Sequence, residues 1–155
     1  MTEQVYLILV GIDNMQFFGE PPFLECSNRG DKRFSAFNAY IGSGILSESI
    51  ESRFQRAKVI EDAWGNLETG LHWKEAKGKT TVAFMFNGKK WPVSLLKEFY
   101  YMLWWVYLKG NPELIKVIEQ YNGFSDFFGQ EGHCCQAEAI WLFRQGKEPF
   151  RFKVE

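Results

Sequence analysis

Ser49-Ile50-Glu51-Ser52-Arg53-Phe54-Gln55-Arg56-Ala57-Lys58 is the stretch on which the fold turns. Its apolar residues Ile50, Phe54 and Ala57 recur at helical spacing. Ser47 precedes it as an N-cap candidate, with Glu48 and Glu51 in the first turn, where the helix dipole favours anions. The pattern predicts a helix to about Trp64, stopped by Gly65-Asn66. At about 100° per residue, Glu51, Gln55, Lys58 and Asp62 share one stripe, and Arg53 and Arg56 lie nearly opposite. A surface helix normally has one polar face, and this one has two. Arginines snorkel past apolar neighbours, so their stripe is assigned to solvent and the Glu51 stripe to a cleft. The alternative is a helix with modest internal ion pairs and both stripes at partly exposed edges.

Outward from this helix the chain reads as alternating short strands and helices. Val5 to Val10 predicts a buried strand, and residues 13–23, with Gly19, Pro21 and Pro22, predict a loop. A short strand is expected around Phe23 to Cys26, and a weaker helix over Glu68 to Ala76. Thr80 to Phe86 reads as a strand with an Asn87-Gly88 turn after it. Pro92 sits well at the start of a long helix over Val93 to Lys109, apolar nearly all round and therefore central. Asn111-Pro112-Glu113 opens a helix to about Tyr121, and a last helix is expected over Cys134 to Arg144. The fold class expected is α+β: a mostly helical single domain over residues 1–155 with a small sheet.

Composition narrows the function. The chain has 155 residues, 46% hydrophobic, with a formal net charge of -1, so a protein built mainly to grip a phosphate backbone is disfavoured. Aromatic residues reach 17%, which implies a dense core, a stacking pocket, or both. Three cysteines, Cys26, Cys134 and Cys135, make no disulfide framework, so a reducing, cytoplasmic setting is expected. The apolar run Phe99 to Leu108 is about half of a membrane span, so no membrane partner is expected.

Two motifs fail on spacing. Gly78-Lys79-Thr80 lacks the glycine of a phosphate loop, because Trp73 occupies its place. That leaves a basic loop around Lys74, Lys77, Lys79, Lys89 and Lys90, either solvated or phosphate-binding. His133-Cys134-Cys135 has no second ligand pair at zinc spacing, so neither metal nor cofactor is expected.

Phe34-Ser35-Ala36-Phe37 followed by Ile50-Glu51-x-x-Phe54-Gln55-x-x-Lys58 resembles the opening of the NADAR family (NAD- and ADP-ribose-associated, YbiA-like). Ala76-Lys77-Gly78 is similar to its Ala-Lys-x-Gly-Arg turn, one residue shorter. Trp91, Lys97, Met102, Lys109 and Asn111-Pro112-Glu113-Leu114 follow in the family's order. Asp126-Phe127-Phe128-Gly129 resembles its Asp-x-x-Trp-Gly segment, shortened and without the Trp. Cys134 and Ala137 hold the places of its Asn-x-x-Gly, and Arg144 stands where a late helix carries arginine. The resemblance covers about Phe34 to Arg144, with residues 1–33 as an N-terminal extension, and marks a divergent branch. The compact size and divergence fit a phage or a mobile defence element.

The resemblance implies a YbiA-like fold and hydrolysis of an N-glycosidic bond. The substrate would be a nucleotide or ADP-ribose-like small molecule, a riboflavin-pathway ribosylamino intermediate, or an ADP-ribosylated nucleic acid. An oxocarbenium-like transition state wants a carboxylate beside the sugar and protonation of the leaving base. Glu51 is the expected carboxylate, Asp126 a second acid or base, and Lys58 a group that tunes Glu51 or binds phosphate. Gln55 would orient sugar hydroxyls, Trp91 stack on the base, and Lys77 meet phosphate, with Gly78, Phe37 and Arg144 lining the substrate site. Two other classes stay open: a module that sequesters a nucleotide without cleaving it, and an interaction domain that uses its aromatics on a protein partner.

Overall fold

A computed structural model describes residues 15–70, 80–127 and 136–149. Its chain order is β1 (Met15–Gly19), β2 (Phe23–Glu25), β3 (Tyr40–Ile41), β4 (Glu48–Ser49), α1 (Ile50–Ala57), β5 (Lys58–Glu61) and β6 (Leu67–Glu68). Then come β7 (Thr81–Phe86), β8 (Lys89–Pro92), α2 (Leu96–Lys109), α3 (Pro112–Ile118), β9 (Gly123–Phe127) and α4 (Gln136–Arg144). The fold is α+β, but the strands form three sheets among the described residues where one small sheet was expected.

α2 is the centre, as its apolar sequence predicts. Phe99, Leu103, Trp104 and Leu108 are fully buried, and α1, α3, α4, β3 and β8 all pack on it. Phe54 from α1, Phe84 from β7 and Phe99 stack at 4.9–6.0 Å between ring centroids. This aromatic cluster fixes α1 between the core helix and the sheet β6-β5-β7-β8.

Six local expectations are corrected. The helix begins at Ile50, because Ser49 and not Ser47 caps it: Ser49 Oγ accepts from Ser52 N–H at 3.1 Å. It also ends at Ala57 and not Trp64. The β-branched pair Val59-Ile60 is buried in β5 and pairs with β7, so sheet formation overrides the helical period. Asp62, placed on the helical stripe, instead caps the turn to β6, its Oδ1 accepting from Trp64 and Asn66 N–H at 2.8 Å. Residues 15–19, read as loop, form β1 against β9, and Lys89–Pro92 form β8, so the long helix starts only at Leu96. Lastly, α3 ends at Ile118.

The third sheet has β9 in the middle, antiparallel to β1 and parallel to β2. Gly123 permits the close approach, since a Cβ there would collide with the Phe23 ring. This sheet carries Asp126 to the start of α4. The strand expected at Val5 to Val10, most of the helix expected over Glu68 to Ala76, and Cys134-Cys135 lie outside the described residues. No helix among the described residues is long and apolar enough to cross a membrane.

Candidate functional site

The site is assembled around the loop Phe34-Ser35-Ala36-Phe37. Asp31 caps a short turn over Lys32–Phe34, which buries Phe34 completely. An Arg33 ion pair at 2.7 Å holds the Asp31 carboxyl below the usual carboxylate range. Ser35 is also buried, its hydroxyl donating to Asn28 Oδ1 at 2.9 Å. With both neighbours anchored, the Ala36 backbone joins two distant elements. Its carbonyl accepts the Glu51 N–H at 3.0 Å, and its own N–H donates to Gln136 Oε1 at 2.6 Å.

Gln136 continues the chain of bonds. Its Nε2 donates to Cys26 O at 2.7 Å and to Asp126 Oδ1 at 3.1 Å, while Ala137 N–H reaches Asp126 Oδ2 at 3.3 Å. Asp126 is 3% exposed. A buried carboxylate survives there because both oxygens accept hydrogen bonds, one from the first turn of α4. Glu51 and Asp126 therefore belong to one connected frame, Glu51–Ala36–Gln136–Asp126.

The Glu51 side chain stands in the first turn of α1, half-buried. Among the described residues its carboxylate takes one hydrogen bond, from Gln55 Nε2 at 3.0 Å, one helical turn on. Gln55 is buried, and among the described residues its Oε1 has no partner. A buried amide oxygen without a donor is unfavourable by about 1–3 kcal/mol, so this atom suits a ligand hydroxyl. Lys58 lies just beyond the last turn of α1, its Nζ 5.5 Å from the Phe54 ring centroid. Phe37 is 51% exposed on the loop beside Ala36.

The remaining expected residues are placed differently. Trp91 is 5% exposed, with its ring 5.5 Å from Phe99, so it packs in the core and little of its face is left for a base. Arg144 is at the far end of α4 from Gln136, about 12 Å along the helix by its rise per residue, and its Nε donates to Tyr121 O. It is thus not brought to Asp126. Lys77 and Gly78 lie outside the described residues.

The arginine stripe, expected to face solvent, does so only in part: Arg56 is exposed, but Arg53 is not. Arg53 is half-buried, its guanidinium 4.5 Å from the Phe86 ring centroid. Arg56 pairs with Glu48 through bonds of 3.0 and 2.5 Å. Burial pushes the Glu48 carboxyl up, but the Arg56 hydrogen bond and the charges of Arg56 and Arg53 outweigh it and hold the group below its usual value. Both arginines line a cavity of about 690 Å³. The sequence reading missed this cavity and the linking role of Gln136.

Fold and site define an α+β domain with one half-buried carboxylate that takes a single hydrogen bond among the described residues, and a second carboxylate kept as a buried, hydrogen-bonded post. The family model described as "DarT1-associated NADAR antitoxin" matches residues 19–146, and the chain belongs to this NADAR family. The match begins at Gly19, ahead of the Phe34 motif. No curated protein matches the chain.

Proposed function

We propose that this chain is an antitoxin N-glycosidase with a YbiA-like active-site arrangement, which removes ADP-ribose from a nucleobase of DNA and so reverses the mark left by an ADP-ribosyltransferase toxin. The C–N bond between the ribose and the base breaks, water adds to the anomeric carbon, and free ADP-ribose and the unmodified base are the products. Glu51 stabilises the oxocarbenium-like state or takes the proton of the attacking water. Gln55 holds one Glu51 oxygen and offers its own Oε1 to a sugar hydroxyl. Phe37 offers an exposed ring to a base, and Lys58 a cation to a phosphate. By the family resemblance, Lys77 is assigned to phosphate and Gly78 to the lining of the substrate site. Asp126 fixes the Ala36 loop through Gln136 and is a positioning residue.

The observation that carries this reading is the carboxylate of Glu51, on a capped first turn and tethered, among the described residues, through one oxygen. Incubating the protein with an oligonucleotide ADP-ribosylated on guanine, and resolving products by mass spectrometry, tests it. Release of ADP-ribose with the unmodified oligonucleotide is expected. Tight binding of the modified strand without turnover would instead identify a sequestering module.

A further inference from the structure

Arg53 follows Glu51 by two residues, about 200° round the helix, so the two side chains leave α1 on nearly opposite sides. The cavity behind α1 is lined by Ile41, Leu46, Phe86 and Val106 with Glu48, Arg53 and Arg56. Its charges do not cancel. Glu48 is satisfied by Arg56, whereas Arg53 has no hydrogen bond or ion pair among the described residues. A guanidinium held over a ring face still has N–H groups to offer a carboxylate. Lys89 is the register partner of Phe86, which places it on the same side of the β7–β8 hairpin and adds a further cation near the cavity.

The rim is apolar and wet. Ile45 is fully exposed, and Leu46 and Val106 are 75% and 39% exposed. Large aliphatic side chains grouped in this way beside a concave surface mark an interface. Ile45 also lines the cavity, so one occupant spans both the charged floor and the exposed aliphatic rim, a reach that suits a peptide segment. A nucleic acid strand would meet Glu48 and an aliphatic lining. A second copy would set one arginine-bearing face against another.

We propose that this cavity docks a partner-protein segment in which an Asp or Glu stands beside Leu, Ile or Phe. The acid meets Arg53 and its apolar neighbour meets Ile45, Leu46 and Val106. The two faces of α1 then serve two ligands at once, so docking leaves the Glu51 side open.

An array of capped dodecapeptides tests this, each carrying one Asp or Glu next to Leu, Ile or Phe, with Asn or Gln counterparts. Binding of selected peptides is then measured by fluorescence anisotropy on the full chain. Acid-bearing peptides are expected to bind, and their amide counterparts to bind at least about tenfold more weakly. Arg53→Gln should produce the same loss and erase the acid preference, with Tm and glycosidase activity unchanged. Leu46→Ser should weaken acid and amide peptides alike. If Arg53→Gln melts early, Arg53→Lys, which keeps the charge but not the fork, should bind with intermediate affinity. The proposal is overturned if the array shows no acid preference or if Arg53→Gln binds as the wild type does. It is equally overturned if single-stranded DNA occupies the face through Arg53, or if sedimentation reveals a dimer that Leu46→Ser dissociates.

Discussion

Asp126 is 3% exposed and both its carboxylate oxygens accept hydrogen bonds, whereas Glu51, on the same frame, is half-buried and held through one oxygen. The sequence offers both acids as candidates, Glu51 as the expected carboxylate and Asp126 as a second acid or base. On the proposed reading, the difference between them teaches which carboxylate meets the substrate. A buried group with both oxygens engaged inside the fold makes a good post and a poor reagent. A group tethered at one oxygen keeps its orientation and still has a lone-pair face to present.

Mutation should separate the two sharply. Glu51→Gln is isosteric and keeps a hydrogen-bonding side chain, so Tm should stay within about 2 °C. The rate of ADP-ribose release should nevertheless fall by about 10²–10⁴-fold, measured by single-turnover kinetics. Asp126→Ala should do the reverse in kind, destabilising the chain by about 1–3 kcal/mol in urea melts by leaving buried donors unpaired. Gln136→Ala should act on the same unit, so the double variant should lose less than the sum of the single losses.

The aromatic residues sharpen the same contrast. Trp91→Ala should destabilise by about 3–5 kcal/mol, because the ring fills core beside Phe99. Phe37→Ala, at a half-exposed ring, should leave stability almost unchanged and raise KM.

The smallest effect concerns the opposite face of α1. Glu48 titrates below its ordinary value of 4.5 when folded, so its contribution is complete at neutral pH and is lost as pH falls through the folded value. Arg56→Ala should lower stability by about 0.5 kcal/mol at neutral pH, since half of the pair is exposed. As pH falls below 4.5 and through the lower folded value, Glu48 becomes protonated and the Tm difference between variant and wild type should shrink.

Much of the framework was legible because it rests on local chemistry. The all-round apolar pattern of α2 and the Asn87-Gly88 turn follow from spacing and from backbone conformation, both turn residues having positive φ. Glu51 and Gln55 were legible as an i, i+4 pair on one helix face. The end of α1 was not, because Val59 and Ile60 fit a helical period as well as a strand, and only β7, more than 20 residues away, decides between them. Gln136 was illegible for a similar reason. It bonds to Ala36 and Cys26 across separations of 100 and 110 residues, and nothing local announces such a link. The Arg53 cavity was hidden by the assumption that arginine seeks water, when Phe86 supplies a ring for it to lie on.

Chemical rescue tests the division of labour between the two acids most directly. Glu51→Ala and Asp126→Ala are each given ADP-ribosylated oligonucleotide with and without added formate, and single-turnover release of ADP-ribose is followed. If Glu51 supplies the reacting carboxylate, formate should restore part of the rate to Glu51→Ala and nothing to Asp126→Ala. Rescue of Asp126→Ala, with Glu51→Ala unresponsive, would contradict the account.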